Sequence, residues 1–449
     1  MNAQITERKG NRITLKVDIE LTGSMLEMEE QILEGVNEMG TVASGEALKR
    51  FDADGENIVI GGTTWYSKGQ LNKTYHSPYG DVVVDRHVYQ RAEGGTTMCP
   101  LEDQARIIIR ATPRFAKVIA HKFANNAVPQ VVEDLEQNHG RQCQKSTLQD
   151  VTAYVGTIVQ AKEESWDYEM PDFGGKVTTI GIGTDGTCML LCHKQSTTPK
   201  SAKGAGVGTQ EGGSMKWREA MTGTLSLYDK DGERLHTIYV GTAPEYGKKA
   251  FYERMTREID RVKTLYPKAR TVGIADGASS NWEFLAPFVE KQILDFYHAT
   301  EYLTKASEAL KVNENDRTVW LDEACHNLKH NRNAAKNLLR EMQKAMDETK
   351  TLKKDPRKNL QAAITYFSNH ITQMNYAEYR EAGYPIGSGV TEAACKVLVK
   401  QRLCCSGMRW TPPGAQNILS IRALVKTDCR WDQFWKKISQ YGIPKNITH

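Results

Sequence analysis

The chain has 449 residues, 39% hydrophobic and 25% charged, and a formal net charge of +4. This is ordinary for a soluble protein of two to four domains, and no run of about eighteen apolar residues occurs that would span a membrane. The nine cysteines include no C-x-x-C pair, which argues against a structural zinc framework and for reduced thiols. The opening MNAQITERKGNRITLKVDIE lacks an apolar h-region, so the expectation is a cytoplasmic, nucleoid-associated protein.

In chain order, Ile13 to Leu21 reads as a strand and Met25 to Met39 as a helix. Residues 71–92 read as a β-hairpin, with the turn Pro78-Tyr79-Gly80-Asp81 ahead of a β-branched run. Residues 101–160 carry helical patterns. Gly140 is a candidate C-cap and Ser146 a candidate N-cap. Two short helices about a tight turn over 129–155 fit a helix-turn-helix that reads DNA, or an ordinary helical hairpin.

The pattern then changes to buried strands. KVTTIGIGT leads to Asp185, and MLLCHK and MTGTLSLYDKDGERLHTIYVG follow, the latter with a hairpin turn at Asp229-Lys230-Asp231-Gly232. A helix over 248–266 precedes the strand ARTVGIA, which reaches Asp276. A helix over 281–290 precedes KQILDFY, a strand running into His298. Three antiparallel strands followed by βαβ units predict an α/β ribonuclease-H-like core with a mixed five-stranded sheet. Residues 299–374 are helical throughout and read as an insertion. The loop 194–215 is rich in Gly, Ser and Lys and reads as mobile; its G-x-G-x-G lacks a following helix and is discounted as a nucleotide motif.

The predicted organisation is an α+β region with a hairpin over 1–100 and a helical, candidate DNA-binding region over 101–170. The first part of the core spans 171–298 and a helical insertion spans 299–385. The final core helix and a helical, basic C-terminal segment occupy 386–449.

Asp185 and Asp276 each end an apolar strand and precede a glycine. Carboxylates at the carboxyl ends of core strands share one sheet edge, where open α/β sheets place their sites. The glycine would let a ligand approach the backbone. Ordinary strand-end turns give the same pattern. Two metal ions about 4 Å apart need a third acid, and Glu392, one residue into a helix entered through Gly387-Ser388-Gly389, is the candidate; Glu378 and Glu381 are rivals in a less defined setting. A helix-dipole acid or a partner of Lys396 is the plainer alternative for Glu392. Glu392, Lys396 and Lys400 recur every four residues and so predict one shared helix face. Asp295 and His298, three apart, could orient one another or touch a phosphate near the metals.

From Lys396 to Lys437 the basic residues are Lys396, Lys400, Arg402, Arg409, Arg422, Lys426, Arg430, Lys436 and Lys437, against only Asp428 and Asp432. Such a field attracts a polyanion, although a solvated basic face looks the same. Arg409 and Trp410 pair a guanidinium with an aromatic plane that could stack a base; Trp410 could equally be core.

YPIGSGVTEAACKVLVKQRLCCSGMRW closely resembles the C-terminal signature of the ISKra group of bacterial insertion-sequence transposases. GIGTDGT and GIADGASSNW are similar to that group's two aspartate segments, and HVYQR, PLEDQARI and the following helical stretch to its N-terminal part. The likeness covers most of the chain from about residue 70 and departs from expectation at Cys404-Cys405. The group in turn resembles other DDE transposases, including the Mutator-like group. The resemblance implies a ribonuclease-H-like domain with a helical insertion before the last acid. Asp185, Asp276 and Glu392 would be the catalytic metal ligands, for two Mg²⁺ ions with Mn²⁺ as a substitute. Asp295 and His298 would match the (Cys/Asp)-x-x-His motif near the active site. Lys396, Lys400, Arg402, Arg409 and Trp410 are the candidate DNA contacts. Implied partners are double-stranded DNA, as element terminal inverted repeats and target, and a second copy of the chain.

Three other readings fit parts of the sequence. Gly183 to Thr187 and Ile274 to Gly277 could be the phosphate loops of a sugar-kinase or actin-like ATPase. Residues 129–155 could serve a DNA-binding regulator without catalysis. A Holliday-junction or other structure-selective nuclease would differ mainly in substrate.

Overall fold

A computed structural model describes residues 2–193, 214–311, 313–348 and 354–444. The expected mobile loop 194–215 lies almost entirely outside the described residues. Contacts divide the chain into two units: Met1–Glu169 with Pro413–Val425 and Cys429–His449, and Met170–Pro412 with Lys426–Asp428.

In the first unit, strands β1 (Asn2–Lys9) and β2 (Arg12–Asp18) form an antiparallel pair. Helix α1 (Met25–Lys49) follows, started by a capping box between Ser24 and Glu27. It runs ten residues beyond Met39, and Gly40 and Gly45 within that extension let the Tyr79 and Val82 side chains lie close against it. Strands β3 (Ile58–Ile60), β4 (Thr63–His76), β5 (Asp81–Arg91) and β6 (Gly94–Met98) make an antiparallel sheet, with the predicted hairpin at β4–β5. Helices α2 (Pro100–Gln104), α3 (Pro113–Asn125), α4 (Val128–His139) and α5 (Lys145–Lys162) follow. Gly140 ends α4 in the left-handed region at φ 60°, as its position predicts. Ser146 is not an N-cap: α5 starts at Lys145 behind Gln144, whose side chain makes no capping bond. From Leu148 onward α5 buries one face, including Leu148, Val151, Val155 and Ile158, with Gly156 against Asn417.

The second unit is built on β7 (Thr179–His193), β8 (Ser214–Tyr228), β9 (Arg234–Thr242), β10 (Arg270–Ala275) and β11 (Lys291–Leu294). Their order is β11-β10-β7-β8-β9. β7, β8 and β9 pair antiparallel, whereas β10 pairs parallel with both β7 and β11. This mixed sheet is compatible with an α/β nuclease-like core. Helix α6 (Lys249–Leu265) links β9 to β10, and α7 (Ser279–Leu285) links β10 to β11. The parallel connections bury Ile182, Leu225, Phe251, Met255, Val272 and Ile293 in one core.

Helices α8 (Phe296–Leu310), α9 (Glu314–His330), α10 (Ala334–Glu348), α11 (Lys354–His370) and α12 (Tyr376–Glu381) form the helical segment. Their Leu303, Ala324, Leu338 and Phe367 extend the same core. Next come α13 (Gly389–Ala394), a π-helical turn over Cys395–Lys400 and α14 (Gln401–Leu403). The last helices, α15 (Pro412–Lys426) and α16 (Arg430–Tyr441), fall largely in the first unit. No helix among the described residues is long and apolar enough to cross a membrane.

Three local expectations need correction. Asp185 does not end its strand; β7 continues to His193 because β8 pairs with it residue for residue, Asp185 opposite Thr222. KQILDFY is not strand throughout: β11 stops at Leu294, and Asp295 becomes the N-cap of α8 by accepting the His298 N–H. Glu392, Lys396 and Lys400 do not lie on one continuous α-helical face. The Gln401 N–H reaches back five residues to the Lys396 carbonyl, so the π turn rotates the cations relative to Glu392.

Candidate active site

The sheet brings two carboxylates to one edge. Asp185 sits on β7, and Asp276 immediately follows β10, which runs parallel beside it with Ile274 opposite Gly183. The third acid arrives on α13. Gly183 has no side chain, and a Cβ there would lie 2.1 Å from Thr391 Oγ1. The helix therefore rests directly on β7, tied by a 2.8 Å hydrogen bond between the Thr224 and Thr391 hydroxyls. Glu392 follows Thr391 and is exposed.

The carboxyl of Asp185 is raised above the usual range, first by burial. Hydrogen bonds from Cys395 and Gly186 oppose this, while the negative charges of Asp276 and Glu392 add to it. Among the described residues no lysine or arginine forms an ion pair with any of the three acids; Glu392 approaches only His298, with Nε2 3.8 Å from Oε1. Asp185, Asp276 and Glu392 do not form a set with ligand atoms within 4.8 Å of one another, but neighbouring carboxylates with no lysine or arginine ion pair among the described residues suit a hard metal ion with oxygen ligands.

Each acid is held by its neighbours. Asp185 Oδ1 accepts the Gly186 N–H at 2.7 Å, and Oδ2 accepts the Cys395 thiol at 3.2 Å. Cys395 is buried, also lies 2.9 Å from the Thr222 hydroxyl, and has its thiol pushed up to about 12 by burial and by Asp185. Asp276 Oδ1 accepts from the Ala278 N–H at 3.1 Å and the Asn281 side chain at 3.2 Å. The Tyr366 hydroxyl on α11 donates to the Asp276 carbonyl at 2.8 Å, and its ring stacks 3.8 Å from Tyr302 on α8. Helices α8 and α11 thus steady the second aspartate. Ser388 Oγ donates to Glu392 Oε1 at 2.7 Å.

The glycines after the aspartates serve protein packing. A Cβ on Gly186 would meet Glu219 Oε1 at 2.2 Å, and one on Gly277, at φ +103°, would meet His370 and Tyr366. They make room for neighbouring side chains, so the expected role of admitting a ligand to the backbone is not needed to explain them.

Asp295, His298 and Glu392 have ligand atoms within 4.8 Å of one another, a geometry that could hold a metal ion. Asp295, however, is fully buried, and each oxygen already accepts a backbone N–H, Oδ1 from His298 and Oδ2 from Ser388. Its committed oxygens make it a clamp that ties the start of α8 to the Gly-Ser-Gly turn, and so fixes where Glu392 begins its helix.

The cations separate into two kinds. Lys396, Lys400 and Arg409 are exposed. Arg402 is 2% exposed, its guanidinium 4.9 Å from the Trp410 ring and 3.3 Å from Met408 Sδ. Trp410 donates its indole N–H to the Leu403 carbonyl at 3.1 Å, and its own carbonyl accepts the Cys192 N–H at 2.8 Å. Arg402 and Trp410 thus pack on each other and against β7. Net charge along the sequence does not distinguish this buried guanidinium from its solvated neighbours. Cys395 is the site residue that sequence reasoning missed, since a thiol's partner is set by tertiary contact.

No family model matches the chain, and no curated protein does. Among solved structures the chain is similar to the Drosophila P element transposase strand transfer complex, with a TM-score of 0.26 and 9% identity, covering 74% of this chain and 81% of that one.

Proposed function

We infer that the second unit is a ribonuclease-H-like nuclease core and that the protein is a DNA transposase of the DDE type, acting on the ends of a bacterial insertion sequence. The observation that supports this is the placement of Asp185 on β7 and of Asp276 just after its parallel neighbour β10, with Glu392 on the helix whose Thr391 packs on Gly183; among the described residues no lysine or arginine forms an ion pair with the three. The strand order and the helical segment before Glu392 support the same core, and the Gly387-Ser388-Gly389 turn with its following acid supports the ISKra-like assignment.

The donor set, three carboxylates of which Asp185 and Asp276 are partly buried and Glu392 is exposed, suits Mg²⁺ or Mn²⁺ and substrate phosphate. When bound, such ions supply activation of a water or a DNA 3′-hydroxyl and neutralisation of the leaving oxygen. The chain's own residues do the positioning. Cys395 and Gly186 fix the Asp185 carboxylate, Asn281 and the Ala278 N–H fix Asp276, and Ser388 fixes Glu392. His298, beside Glu392 Oε1, is placed to donate to a phosphate oxygen or to orient the acid. Exposed Lys396, Lys400 and Arg409 offer charges to the phosphate backbone. Joining two element ends to a target calls for at least two copies in the active complex.

The test is nicking and strand transfer on element-end DNA with Mg²⁺ or Mn²⁺. Asp185→Asn, Asp276→Asn and Glu392→Gln should each abolish both steps while DNA binding persists. Full activity in any one removes that residue from the set. ATP hydrolysis without DNA would instead favour the sugar-kinase-like alternative.

A further inference from the structure

The long hairpin of β7 and β8 carries cations that the assignment above does not use. β8 pairs with β9 only from Met221, opposite Thr242. Residues 214–220 therefore form an open edge on that side among the described residues. The β7–β8 register is unbroken from Thr179↔Tyr228 to His193↔Ser214. Side chains alternate faces along a strand, so Arg218 and Lys216 share the sheet face of Thr222, and hence of Asp185 opposite it. Both cations are exposed, and neither forms an ion pair among the described residues. Glu219 and Trp217 point to the other face, where Glu219 pairs with Lys248 at 2.7 Å.

The same face carries the segment after Glu392. Cys395 bonds Thr222 and Asp185 on that face, and Trp410 further along pairs with Leu191 at the edge of β7. Exposed Lys396 and Lys400 belong to this covering segment. At about 3.4 Å per residue, Arg218 and Lys216 lie roughly 14 and 20 Å along the strand from the level of Asp185. That is several phosphates' worth of a DNA strand, at about 3.4 Å of helix axis per phosphate on each strand.

We propose that Arg218 and Lys216 form a phosphate-binding track for duplex DNA, continuing from the carboxylate edge along the open side of the β7–β8 hairpin. This rests on the DNA-cleaving assignment. The occupant follows from charge: exposed cations with no ion pair among the described residues, in a row on the site's own face, fit a polyanionic backbone, and two of them on one strand edge read no base sequence. Lysine on an open edge also discourages edge-to-edge strand pairing, a role that would leave DNA affinity untouched.

The experiment measures binding of the full chain to a short blunt DNA duplex over a salt series, in Ca²⁺ to prevent cleavage. Lys216→Gln with Arg218→Gln should flatten the slope of log K against log salt by about 1.8, so that an about fourfold rise in salt costs the variant about twelvefold less affinity than it costs the parent. Lys249→Gln with Arg270→Gln, two exposed cations elsewhere on the same unit, should leave the slope within error. An unchanged slope in the first variant, or an equal change in both, overturns the track. Folding is checked by thermal melting, and Lys216→Arg with Arg218→Lys should keep the parental slope. The two claims fail separately: a flattened slope in a protein that never nicks DNA sinks the cleavage assignment alone, whereas nicking with an unchanged slope sinks only the track.

Discussion

Each unit holds a partly buried carboxylate, and the two are treated in opposite ways. In the first, Glu102 on α2 accepts from Lys73 Nζ and from the Tyr75 hydroxyl, both at 2.7 Å, with the Arg86 guanidinium 3.4 Å away. Burial alone would raise Glu102, but these hydrogen bonds and charges outweigh it, and its carboxyl lies below the usual range. In the second unit, Asp185 has a thiol and one backbone N–H for partners and two further acids nearby, and its carboxyl lies above the usual range. A compensated acid stabilises a fold; an acid left among like charges is held there by the rest of the structure and is available for a cation.

The comparison predicts opposite outcomes for equivalent changes. The largest effect should be on activity: Asp185→Asn, Asp276→Asn or Glu392→Gln should each lower nicking by about 1,000-fold or more. In metal-free protein, Asp185→Asn should leave the melting temperature unchanged or raise it, since it removes like-charge repulsion. A clear fall in melting temperature would mean that Asp185 is structural after all. Glu102→Gln should do the reverse and destabilise the first unit by about 1–3 kcal/mol, because Lys73 and Arg86 lose their counter-charge. Chemical denaturation followed by a probe in that unit reads this directly.

A pH series sharpens the contrast. Because the folded-state pKa of Glu102 is depressed, its contribution to stability is full above the unfolded-state value of about 4.3 and is lost as pH falls through the lower folded value. Glu102→Gln should therefore destabilise the protein at neutral pH and lose that penalty in acid. A penalty of constant size down to low pH would contradict the ion-pair account of Glu102. The smallest effect belongs to Cys395. Cys395→Ala removes one donor to Asp185, worth about 0.5–1.5 kcal/mol, or roughly two- to thirteenfold in nicking rate. Cys395→Ser should restore most of it; equal loss in both variants would assign the thiol to packing alone.

Much of the second unit was legible in the sequence because its signals are local. Apolar runs marked β7, β10 and β11, and Asp229 to Gly232 marked the β8–β9 turn, where the Asp229 side chain accepts from the Asp231 and Glu233 N–H groups. Both aspartates of the proposed site could be named from those strands. What was illegible depended on partners distant in sequence. The extent of β7 is set by β8, the burial of Arg402 by Trp410, and the hydrogen bond of Cys395 by a strand more than two hundred residues earlier. The π turn over Cys395–Lys400 escaped because its residue types suit an α-helix equally well. Asp295 read as the end of a strand because its capping role appears only once the chain turns into α8.

Calorimetric titration of Mn²⁺ into the full chain tests the assigned metal site most directly, since Asp295, His298 and Glu392 offer a competing set of ligands. If Asp185, Asp276 and Glu392 hold the ions, Asp185→Asn with Asp276→Asn should abolish binding, while His298→Ala should leave it measurable. Binding that survives the double aspartate variant and disappears in His298→Ala would move the metal to the other cluster and contradict the DDE assignment.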